Sequence, residues 1–128
     1  MGQKERRFSL REYMFLNWAL LLYSVEYNEP MYQIKPLPQF SDWLSQLRDP
    51  MTRARLVRRL EKAERGLLGD VAPVGEGVSE MREHFGAGWR MYYIQRNGML
   101  IVMLGGGSKA TQSADIAKAI ALSKTIEE

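Results

Sequence analysis

The sequence predicts an α+β domain of order β-α-α-β-β-β-α, with a helical hairpin packed on a small, mainly antiparallel sheet. Three observations carry that prediction. Two amphipathic segments with a helical apolar period follow each other between Phe40 and Gly66, three strand-like runs separated by glycine turns fill Val78 to Leu104, and a helix-cap signal reopens a helical pattern at Thr111. At 128 residues, with 45% hydrophobic and 26% charged residues and no repeat or low-complexity tract, the chain holds one core and not two.

The elements follow in order. Tyr32 to Leu37 is a short strand candidate ended by Pro36 and Pro38. Phe40, Trp43, Leu44 and Leu47 stand at i, i+3, i+4 and i+7, one face of a first helix. Asp49 and Pro50 supply an N-cap and a first-turn proline for a second helix that Gly66 terminates. On that helix Leu56, Leu60, Ala63 and Leu67 fall on one side, opposite Arg55, Arg58, Arg59, Lys62 and Arg65.

Gly66 to Gly77 reads as a loop. Three strand runs come next, Val78–Phe85, Trp89–Arg96 and Met99–Leu104, joined by Gly86-Ala87-Gly88 and by Asn97-Gly98, the favoured pair of a type I′ hairpin. The last run is apolar at every position and is expected to be covered on both faces, in a central place in the sheet. Thr111 or Ser113 is expected to cap a final helix that reaches about Thr125 and buries Ile116, Ala119, Ile120 and Ser123.

Residues 1–30 stand apart as an N-terminal extension, and residues 31–128 form the domain. In the extension Lys4, Arg6, Arg7 and Arg11 precede the apolar run Met14 to Val25. That order imitates an export signal, but Asn17 interrupts the run, no small-x-small cleavage site follows, and the run is shorter than the roughly 20 residues that span a bilayer. A start at Met31, or an extra packing or partner helix, are the alternatives.

Composition narrows the chemistry. Zero cysteines exclude a disulfide framework and a thiolate metal site, and a single histidine excludes a multi-histidine one. No metal and no cofactor are expected. The segment Leu104-Gly105-Gly106-Gly107-Ser108-Lys109 fails as a phosphate-cradling loop, because Met103 stands where the first glycine is required and Ala110 where Ser or Thr must hold magnesium. Its glycines are expected to let the chain turn tightly into the last helix.

Strand alternation puts Glu80, Arg82 and His84 on one face of the first long strand, and Arg90, Tyr92 and Ile94 on one face of the second. If the hairpin brings these together, two guanidinium groups, an imidazole and a phenol meet, a set suited to a phosphodiester. Equally, such faces hold Arg, Glu and Tyr as cross-strand pairs with no further role. The five cations of the second helix similarly fit either a solvated face or an electrostatic footprint for RNA or an acidic partner.

The blocks FSDWLSQLRD, GDVAPVGEGVSEMREHFGAGWRMYY and LGGGSKATQSADIAKAIAL closely resemble the RelE/ParE superfamily of toxins, in its addiction-module killer or HigB-like branch. That branch shows F-x-x-W-L-x-x-L, G-D-x-x-x-V-G-x-G-V-x-E-L-R, G-x-G-Y-R-x-Y and L-x-G-G-x-K-x-x-Q-x-x-D-I. The resemblance spans Phe40 to Leu122, with Met81 in place of the usual Leu, Trp89 of Tyr and Ser108 of a frequent Asp.

The resemblance implies a RelE-like fold and a cytoplasmic toxin, neutralised by an antitoxin, often of helix-turn-helix type, through which operator DNA is met. It implies mRNA and the ribosome as further partners, no membrane, and metal-independent mRNA cleavage that inhibits translation. In that reaction the ribose 2′-OH attacks the neighbouring phosphate, so a base, a charge stabiliser and an acid are required. Arg90 is the expected stabiliser with Arg82 assisting; Lys109 is a second cation, or a base if neighbouring arginines lower its pKa. His84 or Glu80 is the expected base, and Tyr92 stacks or donates. Arg55, Arg58, Arg59, Lys62 and Arg65 are the expected RNA or ribosome contacts. The rivals are a ParE-like gyrase poison and an inactive module that keeps only antitoxin binding.

Overall fold

A computed structural model describes residues 31–126, so the expectations for the N-terminal extension lie outside the described residues. The order is β1 (Gln33–Pro36), α1 (Pro38–Ser45), α2 (Pro50–Glu64), β2 (Val71–Gly75), β3 (Val78–Arg82), β4 (Arg90–Arg96), β5 (Leu100–Gly107), a 3₁₀ turn (Lys109–Thr111) and α3 (Gln112–Ser123). The five strands form one sheet ordered β1-β5-β4-β3-β2, in which β1 runs parallel to β5 and the other pairs are antiparallel.

The sheet therefore has one strand more than expected. β2 occupies the middle of the stretch read as a loop, where Pro73 and flanking glycines weaken a strand pattern. As an edge strand it tolerates that proline. The β2–β3 hairpin turns through Glu76 and Gly77, both at positive φ (51° and 84°), and glutamate is a poor advertisement for such a turn. Asn97 and Gly98 adopt positive φ of 54° and 78°, as their sequence predicts.

β5 sits inside the sheet, as its unbroken apolar run requires, and feeds two cores. Ile101 and Met103 join Phe40, Leu56, Ala63, Met81 and Met91 on the α1/α2 side. Val102 and Leu104 join Val78, Tyr92, Ile94 and Ala119 on the α3 side. Asp49 caps α2, its carboxylate accepting from the Met51 N–H (3.2 Å) and the Thr52 hydroxyl (2.9 Å), ahead of Pro50. Leu67 was placed on the buried side of that helix but is 48% exposed, because α2 ends at Glu64 and Gly66, at φ 90°, turns the chain away.

Two expectations at the C-terminal end change as well. Thr111 holds the N-cap position of α3, yet its hydroxyl bonds the Asp115 carboxylate at 2.5 Å and no backbone N–H, while Ser113 lies inside the helix. The glycines at 105–107 do not make a turn but complete β5. They are required by close approach: a Cβ on Gly106 would stand 2.4 Å from the Trp43 ring, and one on Gly107 1.9 Å from the Asp115 carboxylate.

Candidate active site at the β3–β4 loop

β3 and β4 pair with Arg82 opposite Arg90 and Glu80 opposite Tyr92, so these four side chains share one face of the sheet. Depth then divides them. Glu80, Arg90 and Tyr92 are buried, at 4%, 5% and 0% exposure, because α3 lies across their part of the face. Glu80 Oε1 accepts from Gln112 Nε2 of α3 at 2.9 Å and stands 3.9 Å from Arg90 Nε. Arg90 Nη1 donates to the carbonyls of Glu83 and Trp89, both at 3.1 Å. The Tyr92 hydroxyl has no hydrogen-bond partner among the described residues.

Burial first, and then the negative charges of Glu80 and Asp115, hold the Tyr92 phenol well above its ordinary pKa. It is thus a poor proton donor. Arg90, Tyr92 and Glu80, expected to face a phosphodiester, instead form an interior layer, and Glu80 is spoken for by Gln112. Alternation along a strand gives the face; only the tertiary cover gives the depth.

Arg82 and His84 remain at the surface. β3 ends at Arg82, so His84 lies in the β3–β4 loop and not on a strand, and 70% of its side chain is exposed. Between the two stands Asp70, which sequence reading missed. Its Oδ1 accepts from Arg82 Nη2 (2.8 Å) and Nε (3.2 Å), and its Oδ2 meets His84 Nε2 at 2.7 Å. The Arg82 hydrogen bond, then that to His84, lowers the Asp70 pKa to about 2, and the same contact raises that of Arg82. The signal for Asp70 was its place at the head of an unrecognised strand: Arg82 N–H donates to the Asp70 carbonyl at 2.9 Å and carries the ladder one residue past β2.

Lys109 is exposed in the 3₁₀ turn, where its backbone N–H donates to the Ala87 carbonyl at 3.3 Å. A Cβ on Gly88, at φ 74°, would lie 3.3 Å from Lys109 Cβ and 3.9 Å from Arg90 Nη1. Gly88 therefore lets the 3₁₀ turn dock on the loop that carries His84.

The basic side of α2 also needs correcting. Arg55, Arg58, Lys62 and Arg65 are exposed, but Arg59 is buried at 9%. Its guanidinium donates to the carbonyls of Leu68 (2.9 Å), Asp70 (2.8 Å) and Arg82 (2.8 Å) and pairs with the Glu83 carboxylate. It staples α2 to the approach of β2 and the end of β3, so the expected five cations become four. Arg55, Arg58 and Lys62 line a groove of about 400 Å³ with Glu83, and the Arg55 guanidinium lies 3.8 Å over the Phe85 ring. Glu83 and Phe85 flank His84 in the chain, and both turn toward α2.

Among the described residues no three His, Asp or Glu side chains gather as a metal site would need, and no helix is long and apolar enough to cross a membrane. A larger hollow of about 630 Å³, between α1 and α3 beside Gly105, includes none of the expected site residues.

No family model matches the chain. An uncharacterised protein of Haemophilus influenzae is 36% identical over 94 residues, which cover 73% of this chain and 95% of that protein. The chain belongs to the same family as that protein. A chain of the crystal structure of the toxin–antitoxin complex RelBE2 from Mycobacterium tuberculosis is similar with a TM-score of 0.51 and 19% identity, covering 62% of this chain and 99% of that one. That likeness establishes, at the level of architecture, a RelE-like α+β fold.

Proposed function

We propose that this chain is the toxin of a type II toxin–antitoxin module and a ribosome-dependent, metal-independent mRNA endonuclease that inhibits translation in the cytoplasm. The observation that carries the reading is the joining of Arg82 and His84 through Asp70 at the β3–β4 loop, on which the turn that carries Lys109 docks at the Ala87 carbonyl, while Glu83 of the same loop lines a groove with Arg55, Arg58 and Lys62. The RelE-like fold, shared with a chain of a toxin–antitoxin complex, agrees with it. The HigB-like resemblance of the sequence points the same way and supplies an antitoxin of helix-turn-helix type as partner, with operator DNA bound through it.

The reaction divides its labour as follows. The cations of α2 hold the phosphate backbone, each exchanging a condensed counterion for a contact. His84, exposed and held by Asp70, moves the proton of the attacking 2′-OH. Arg82 and Lys109 face the charge that grows on the phosphorane. Arg90 positions: by bonding the carbonyls of Glu83 and Trp89 it ties together the two ends of the loop on which His84 sits. Tyr92 and Glu80 form the floor.

Induction in bacteria, with and without the adjacent reading frame, followed by mapping of mRNA 5′ ends, tests the reading. Cuts confined to translated codons, suppressed by the neighbouring product, are expected. Intact mRNA accompanied by gyrase-linked DNA breaks would replace it with a gyrase poison, and growth without effect would point to an inactive module.

A further inference from the structure

We infer that Asp70 and His84 form the proton-transfer pair of this site, with Asp70 as the positioning residue that fixes the imidazole; the inference rests on the nuclease reading above. The carboxylate is immobilised before histidine meets it. The Asp70 carbonyl receives the Arg59 guanidinium at 2.8 Å and the Arg82 N–H at 2.9 Å, so its backbone is held from α2 and from β3. Its Oδ1 is taken by two nitrogens of Arg82, which leaves Oδ2 for His84 Nε2 at 2.7 Å. Two elements, α2 and β3, thereby aim one carboxylate oxygen at one exposed ring.

The consequence is chemical. A carboxylate accepts only, so Nε2 carries the hydrogen and, in the neutral ring, Nδ1 carries the free lone pair. Nδ1 has no partner among the described residues and is the atom left for substrate. In the step, the 2′-OH proton passes to Nδ1 as the 2′-oxygen forms its bond to phosphorus. The bond from phosphorus to the 5′-oxygen breaks, and that oxygen takes a proton from water, giving a 2′,3′-cyclic phosphate and a 5′-hydroxyl. The imidazolium then returns its proton to solvent. The charges that bear on the ring are Asp70 from the head of β2 and Arg82 from β3; Glu83, its neighbour in the loop, is paired with Arg59.

His84 is the single histidine of the chain, so its imidazole can be followed without assignment in the full-length protein by NMR with ¹⁵N-labelled histidine. Asp70→Asn keeps the shape and removes the charge. The expected result is a ¹⁵Nε2 signal that differs between D70N and the native chain, with an Nε2-bound proton that exchanges with solvent faster in D70N. Cleavage of mRNA in a translating extract is expected to fall at least tenfold, with kcat and not KM carrying the loss, and D70E is expected to recover part of it. His84→Gln is expected to cost as much alone as D70N and H84Q together, the signature of two groups acting as one. An unchanged Nε2 signal and proton exchange in D70N overturn the pairing. A changed Nε2 signal with undiminished cleavage, or additive losses in the double variant, overturns the positioning role. A native chain that cuts no mRNA overturns the nuclease reading itself, and is told apart because it is seen before any variant is made.

Discussion

Two polar clusters meet at the β3–β4 pair, where Arg82 of one stands opposite Arg90 of the other, and they behave as opposites. Glu80, Tyr92, Gln112 and the Arg90 side chain make a dry cluster beneath α3, whereas Asp70, Arg82 and His84 make a wet one beyond its reach. The sets have similar chemistry, each a carboxylate with a guanidinium, joined by Tyr92 and Gln112 in the dry cluster and by His84 in the wet one. The difference is cover. Under α3 an unmet polar group costs stability, and outside it the same groups are free to meet a ligand. On the proposed reading the dry cluster is scaffolding and the wet cluster is the reactive surface.

The sharpest way to break that comparison is at Tyr92, whose ring is fully buried. Tyr92→Ala should cost about 3 kcal/mol in urea unfolding, the scale of a large aromatic lost from a core. Tyr92→Phe, which deletes only a hydroxyl that has no hydrogen-bond partner among the described residues, should change stability by less than about 1 kcal/mol. A large loss in Y92F would show that the dry cluster depends on that hydroxyl.

A smaller effect separates the clusters by pH. Asp70 has a folded-state pKa near 2, depressed below its ordinary 3.8, so the stability it contributes is fully present above pH 4 and is lost as pH falls toward 2. Between those limits the urea midpoint of the native chain should fall more steeply than that of Asp70→Asn. Parallel curves would mean that the Arg82 and His84 contacts do not hold in solution.

The smallest effect belongs to the groove. Arg58→Ala should leave stability within about 0.5 kcal/mol, yet lower the slope of log affinity for ribosomes against log salt by about 1, one phosphate contact fewer. An unchanged slope would remove Arg58 from the footprint.

How much of this was legible in the sequence follows the range of the interaction concerned. The Asp49 cap, the Asn97-Gly98 turn and the interior place of β5 were legible because each is fixed by neighbours in the chain or by an unbroken apolar run. That Glu80 shares a face with Arg82, and Arg90 with Tyr92, was legible for the same reason, since a strand has a period of two, whereas their pairing across the hairpin was only a condition that the register meets, with His84 left beyond the strand. β2 was not, because Pro73 and its glycines look like a loop until β3 supplies a partner. Nor was the burial of Arg59, since helical periodicity places it among surface cations and its four partners lie 9 to 24 residues away. Asp70 escaped for both reasons at once: it heads the hidden strand, and its importance is written in contacts 12 and 14 residues downstream.

The close packing at the end of β5 has a consequence for anyone altering this protein. Gly106 and Gly107 are keyholes, one for an indole and the other for a carboxylate, and each is too small by a single methyl. At 107 the carboxylate is the end of a flexible side chain and can swing aside, but a methyl at 106 would act as a wedge against the indole, prising α1 from the end of β5. One atom added to the backbone's smallest residue would thus loosen the helix on the far side of the sheet from His84.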